Sequence, residues 1–345
     1  MRYNKKFSFK NIDKPYLIAE ISANHNGSLA HAKKLIKCAK QNGADAVKLQ
    51  TYQPESMTIN SNRKEFKIKL GLWKNYTLWK LYQKAQTPFA WQKELFEYAK
   101  KLDILCFSSP FDGQSVKILE KLDCPIYKVA SFEITDFSLI KQIAKTGKPM
   151  IISTGLSTLK EISKTVNFAK KNGSGEIALL YCVSNYPAKN SDFNLKNITI
   201  LKKKFNCVVG LSDHSNDNDI SKISVSLGAQ LFEKHIALNK QSKGFDIKFS
   251  LKGNEIRKFK NDLLKAYDIL GQNNFTRKKN ELKNLIYRRS IYTIDNISKG
   301  EKFTKKNVKC IRPSLGLDPT LYFKLLSKKS KSNIKSGRPI LKRYF

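Results

Sequence analysis

Short apolar, β-branched runs recur eight times in the first 270 residues, at 16–21, 46–51, 104–109, 126–131, 149–154, 177–183, 207–213 and 231–237. Helical patterns lie between them. Leu29, Ala32, Leu35, Ile36 and Ala39 fall on one helix face, closed by Gly43. Leu95, Phe96, Ala99 and Leu102 repeat the spacing, as do Leu159, Ile162, Val166 and Ala169. Thr158 and Glu161 stand before the latter at the spacing of a capping box. A last helix is expected over 256–270, ending at Gly271. Strands that are apolar throughout and alternate with helices belong to a parallel sheet covered on its faces. Eight such units predict a closed (β/α)8 TIM barrel. A doubly wound open sheet is the alternative, weakened because no G-x-G-x-x-G follows the first strand.

The domain reading follows. Residues 1–270 form the barrel, the polar, turn-rich stretch 271–283 is a linker, and 284–345 is a separate small module. In that module a strand is expected over 290–294, a turn at 298–301, and the end of a second strand at Ile311-Arg312-Pro313. The connection 52–87 is unusually long, with a helix expected only over 73–82. Long loops after a barrel strand are usually functional.

Composition removes several function classes. Of the 345 residues 41% are hydrophobic, enough for a real core and too many for a disordered chain. No apolar run approaches the roughly 18 residues of a membrane span. Residues 1–10 are basic and polar, and Glu20 interrupts the first apolar run, so no cleaved signal peptide is expected. Six scattered cysteines without a C-x-x-C pair read as reduced and mostly buried, as in a cytoplasmic protein. The net charge is +37, yet 56 of the 65 basic residues are Lys, a poor ratio for bidentate readout of bases or phosphates. A basic nucleic-acid-binding barrel would interleave Arg with aromatics on one face, and no such pattern is present. The excess reads as solvated lysines that help draw in a polyanionic small substrate. Neither nucleic acid nor membrane is expected as a partner.

Barrel enzymes keep their chemistry at the C-terminal ends of the strands, and every expected strand delivers polar groups there. These are Glu20 with Ser22, Asn24 and His25; Lys48 and Gln50 on one face; Ser108 and Ser109; Lys128 and Ser131; Ser153 and Thr154; Ser184, Asn185 and Tyr186; Ser212, Asp213 and His214; and Glu233 with His235. Lys48 and Lys128 are cations inside apolar strands, with Ser109, Ser131 and Ser212 as hydroxyl donors. A buried unpaired Lys is costly. Either an anionic ligand sits between the two lysines, or Glu20 and Glu233 pair with them. His214 and His235 occupy adjacent strand ends, with Glu20, Glu233 and Asp246 in reach. Two imidazoles so placed suit a divalent transition metal. His25 reads as a loop-structuring residue or substrate contact, and His31 as an exposed helix residue.

Six segments carry a resemblance that runs in order along nearly the whole chain: 18–26 (IAEISANHN), 43–52 (GADAVKLQTY), 108–112 (SSPFD), 127–131 (YKVAS), 210–214 (GLSDH) and 233–235 (EKH). They resemble the sialic acid synthase family, and the last 60 residues resemble its C-terminal antifreeze-like (SAF, β-clip) domain. The Ser-Ala-Asn-His-Asn and Ser-Ser-Pro-Phe forms, 130–134 and 249–251 look most like the branch that makes pseudaminic acid. N-acetylneuraminate and legionaminate synthesis are the alternatives.

The resemblance implies condensation of phosphoenolpyruvate with an amino-sugar aldose. His214 and His235 would hold a divalent metal, Mn2+ or Mg2+. Lys48, Lys128, Ser109, Ser131, Ser184 and Ser212 would surround phosphoenolpyruvate, with Gln50, Asn185 and Tyr186 as further substrate contacts. Glu20 would handle protons or orient water, and Glu233 and Asp246 would meet the sugar. The family also implies a homodimer whose swapped SAF domain carries Arg312 to the other subunit's barrel. Two positions depart from the pattern: Ser314 stands where relatives often have Gly after Arg-Pro, and Tyr181-Cys182-Val183 stands for Lys-Cys-Thr.

Overall fold

In the computed structural model, which describes residues 7–345, eight strands run parallel around a closed ring. They are β1 (Tyr16–Glu20), β2 (Ala46–Thr51), β3 (Leu105–Pro110), β4 (Tyr127–Val129), β5 (Met150–Ser153), β6 (Ile177–Cys182), β7 (Val209–Asp213) and β8 (Leu231–Ala237). Each pairs with the next, and β8 returns to β1 with Glu20 opposite His235. A two-residue strand, β9 (Leu251–Lys252), extends the sheet beside β8. The ring is the TIM barrel that the alternation of patterns predicts.

The helices form where the apolar spacing places them. Helix Leu29–Gln41 buries Ala32, Leu35, Ile36 and Ala39, opens on Ser28, and gives way to Gly43 at φ +84°. Burying one such Leu or Ile fully is worth about 1.5–3 kcal/mol. Helix Leu159–Lys171 carries the complete capping box of Thr158 and Glu161. Helix Asn254–Leu270 stops at Gly271, φ +61°.

The long connection differs from expectation. The helix there is Leu78–Ala85, capped by the Thr77 hydroxyl, not 73–82. Asn75 adopts φ +77°, a left-handed conformation that interrupts any helix beginning at Trp73. Before it lie a short helix, Pro54–Met57, and a Lys67–Thr77 bridge that folds the segment back on itself.

The chain divides into two compact units, Met1–Gly271 and Gln272–Phe345. The second is built on β10 (Ser290–Thr293) antiparallel to β11 (Val308–Ile311). Its own core holds Ile291, Ile297, Phe303, Val308, Leu317, Leu325, Ile334 and Ile340. Arg312 follows β11 and is exposed. All six cysteines are free; Cys106, Cys124 and Cys182 are buried and the others half-buried. Among the described residues no helix is long and apolar enough to cross a membrane.

Candidate active site

Strand alternation turns Lys48, Lys128, Ser212, Glu233 and His235 inward, and the barrel mouth closes around them as a cavity of about 450 Å³. The charged floor is continuous. Lys48 Nζ lies 2.6 Å from Glu20 Oε2 and 3.6 Å from Glu233 Oε1. Lys128 Nζ lies 4.0 Å from Glu233 Oε2 and donates to Ser153 Oγ at 2.6 Å. The anion between the two lysines is therefore the protein's own Glu233. Ser212 donates to Glu233 Oε1 at 3.3 Å, and Gln50 donates to Glu20 Oε1 at 3.1 Å.

Burial and pairing set the charge states. Burial opposes charge on Lys48, but Glu20 and Glu233 outweigh it and hold the ammonium above its ordinary value. Lys128 is lowered by burial, which the more distant Glu233 does not offset, and by Lys48. Burial would raise Glu233, yet Lys128, Lys48 and the imidazoles hold it well below the carboxylate range. Asp246 is also lowered: burial opposes ionisation, and the adjacent His235 imidazole outweighs it.

The two imidazoles face each other with ring centroids 5.4 Å apart, both lining the cavity. His214 Nδ1 sits 3.1 Å from the Val183 carbonyl, a contact that assigns the proton to Nδ1 and leaves Nε2 with its lone pair. His235 Nδ1 lies 3.3 Å from Asp246 Oδ2, out of line for a hydrogen bond, and is a buried nitrogen without a partner. Asn24 secures Asp246, accepting from its backbone N–H at 3.2 Å while donating to the Ile236 carbonyl at 2.9 Å. Among the described residues no three His, Cys, Asp or Glu side chains converge as a ready metal cluster. The protein offers two imidazoles, and further ligands would be water or substrate.

The other expected site residues divide. Ser131 and Tyr186 line the cavity. Ser131 Oγ accepts the Gly155 N–H at 3.1 Å, and Tyr186 packs 4.4 Å from the His214 ring. A methyl at Gly155 would come within 2.2 Å of Ser184 Oγ and 2.7 Å of Ser131 Oγ, so the glycine makes room for both hydroxyls. Ser109 is buried and accepts from Lys48 at 3.3 Å. Asn185 does not join them. It is exposed, and its amide donates to Asp192 at 3.1 Å. Arg312 belongs to the second unit. His25 is fully buried, bonded to Gly27 N and near Thr87, and burial pushes it down to about 4, so it structures the loop. His31 is half-buried, 3.1 Å from Gln241 Oε1, rather than exposed.

Four further lining residues had no role in the sequence reading, although Ser22 and Ser153 stood among its strand-end polar groups. Ser153 receives Lys128. Ser22 accepts from Gln50 at 3.1 Å and adopts φ +46°, a strained conformation costing roughly 1–3 kcal/mol. Cys182 lies 3.9 Å from His214 Nδ1. Glu133 has an unpartnered buried Oε2, and burial, opposed by Lys128, pushes its carboxyl up to about 7. In the sequence it stood only within 130–134, a segment of the resemblance, two residues beyond Ser131.

Above this floor the wall is apolar. Met57, Ile68, Trp73, Leu78, Leu81 and Tyr82 come from the long 52–87 connection, with Phe111 and Phe245 opposite. Trp73 Nε1 donates to the Phe245 carbonyl at 3.1 Å, tying the connection across the mouth.

Residues 35–275 match the NeuB family. The chain is 44% identical to the pseudaminic acid synthase of Campylobacter jejuni, over 96% of each chain. This chain belongs to the NeuB family, the sialic acid synthases. It is also 37% identical to the N,N'-diacetyllegionaminic acid synthase of C. jejuni, over 95% of this chain and 99% of that one. Among solved structures it resembles the N-acetylneuraminic acid synthetase of Leptospira borgpetersenii, at 30% identity and TM-score 0.72, covering 82% of this chain and 96% of that one. Tyr181, one of the expected departures from the family, is turned away from the cavity: its hydroxyl accepts the Asn194 N–H at 2.9 Å. Its neighbour Cys182 faces inward.

Proposed function

We propose that this chain condenses phosphoenolpyruvate with 2,4-diacetamido-2,4,6-trideoxy-L-altrose and water, releasing pseudaminic acid and phosphate. The observation that carries the reading is one cavity with a charged floor and an apolar wall. Carbon 3 of phosphoenolpyruvate attacks the sugar aldehyde, water adds at carbon 2, and phosphate leaves. Lys48, Lys128 and the hydroxyls of Ser131, Ser153, Ser184 and Ser212 are suited to the carboxylate and phosphate. Glu20 and Glu133 are the carboxyls for proton work. Glu133, at about 7, can both give and take a proton near neutrality.

The charge balance favours a cation as well. Two ammoniums, Lys48 and Lys128, stand against three carboxylates, Glu20, Glu233 and Asp246. A trianionic ligand needs more positive charge than that. His214 and His235, with nitrogens free of protein partners, suit a divalent ion, Mn2+ or Mg2+. When bound, it would polarise the aldehyde as a Lewis acid. Chelation is then expected to abolish phosphate release.

The apolar wall bears on the sugar. A 6-deoxy carbon and two acetamido methyls can lie against it, whereas the hydroxyls of N-acetylmannosamine would be left unpaired, and unpaired polar groups discriminate strongly. The wall suits the legionaminic precursor equally, and the higher identity to a pseudaminic acid synthase decides between them.

We read the second unit as the SAF domain of a homodimer that brings Arg312 to the partner's barrel. Arg312 is exposed, and Tyr287, Leu315 and Phe323 of the same unit are exposed at 64%, 57% and 77%, apolar surface that a partner would cover. The test of the function is phosphate release from phosphoenolpyruvate with a panel of amino sugars. Release with the diacetamido altrose and little with N-acetylmannosamine is expected; the reverse preference would refute the sugar assignment.

A further inference from the structure

We infer that Asp213 and Lys234 are positioning residues that set the spacing of the two imidazoles, and through it the affinity of the centre for a divalent ion. The inference rests on the metal reading of His214 and His235. β7 and β8 place Asp213 and Lys234 opposite each other in register, one residue before His214 and His235. Side chains alternate along a strand, so the pair points away from the cavity into the layer beneath the helices. Both are 1% exposed, with Nζ 3.0 Å from Oδ2.

Each member is held by more than the other. Asp213 Oδ1 accepts the Ser215 N–H at 2.8 Å, and Oδ2 accepts the Ser221 hydroxyl at 2.8 Å. Lys234 donates to the Ser215 carbonyl, and its ammonium lies 5.9 Å over the Phe259 ring. The turn bearing His214 is thus fastened through Ser215 to the strand bearing His235. Neither Asp213 nor Lys234 lines the cavity.

A buried charge pair is not needed to join two barrel strands, since apolar residues of similar volume do so at equal or better stability. A directional pair adds a fixed separation. Two imidazoles that share one ion would both have to reach it, which tolerates little drift in their spacing. Groups that orient metal ligands typically change affinity by about 10–100-fold.

The experiment is calorimetric titration of the full chain with Mn2+ in the absence of substrates, with thermal melting of each variant. Asp213→Asn and Lys234→Met are each expected to weaken Mn2+ binding at least about tenfold at a temperature where they are folded. In the double variant neither charge is left unpaired. It should recover stability but not affinity, and it carries the test should the single variants fail to fold. Asp45→Asn, which breaks the Lys260 pair away from the cavity, should leave affinity unchanged. Native Mn2+ affinity in the double variant would overturn the positioning role and leave the metal reading standing. A native chain that does not bind Mn2+ would overturn the metal reading and this inference together.

Discussion

Lys48 reaches Glu20 at 2.6 Å with the two side chains 4% and 0% exposed. At that burial neither charge can lose its partner cheaply. Lys48→Met should destabilise the fold by about 3–5 kcal/mol, because Glu20 is left charged and uncompensated. Adding Glu20→Gln should restore much of that stability while turnover stays absent. Denaturant unfolding and phosphate release, measured on both variants, separate the structural role from the catalytic one. Unchanged stability in Lys48→Met would show that the pair is not formed.

Glu133 links stability and activity to pH. Its carboxyl is raised from 4.5 to about 7 in the folded chain, so between those values the folded state binds more protons than the unfolded state. Stability contributed by the protonated form is present below the unfolded value and is lost as pH rises through the folded value. The native chain should therefore lose stability relative to Glu133→Gln between pH 4.5 and 7, and the two curves should run parallel above. The rate profile should lose its limb near neutrality in the same variant. Parallel curves across the whole range would remove Glu133 from the proton chemistry.

The barrel was legible because its strands are buried throughout, leaving apolar runs that no amphipathic helix would show; the observed bounds of β2 and β8 coincide with those expected. Strand alternation correctly put Lys48 with Gln50 and Glu233 with His235. What alternation cannot supply is distance across the barrel. Whether a ligand or Glu233 fills the space between Lys48 and Lys128 is a tertiary fact. Loops were harder still. Asn185 was grouped with its neighbours Ser184 and Tyr186 but turns to Asp192, and Asn75 broke a helix that the aromatic spacing from Trp73 favoured. Ser153 resembled every other strand-end serine until Lys128 was seen to reach it.

Gly155 should tolerate no side chain. In Gly155→Ala the new methyl meets the Ser184 and Ser131 hydroxyls at 2.2 and 2.7 Å, so both must move. KM for phosphoenolpyruvate should rise at least about tenfold, roughly 1.4 kcal/mol, with KM for the sugar less affected. An unchanged KM for phosphoenolpyruvate would place the phosphate elsewhere.

Arg312 is expected to act in the partner's site. Co-expressing Lys48→Ala with Arg312→Ala creates mixed dimers in which one barrel keeps its Lys48 and receives an intact Arg312. Activity should partly return. If each chain used its own Arg312, both sites of the mixed dimer would stay damaged and no activity would reappear.

The central claim is the condensation itself and the sugar it uses. Its most direct test is a competition in which limiting phosphoenolpyruvate is given equal amounts of the diacetamido altrose and N-acetylmannosamine, and the nine-carbon acids formed are counted by mass spectrometry. The charged floor and apolar wall predict that pseudaminic acid exceeds N-acetylneuraminic acid at least about tenfold, with one phosphate released per acid formed. N-acetylneuraminic acid as the main product, or phosphoenolpyruvate left unconsumed, would contradict the account.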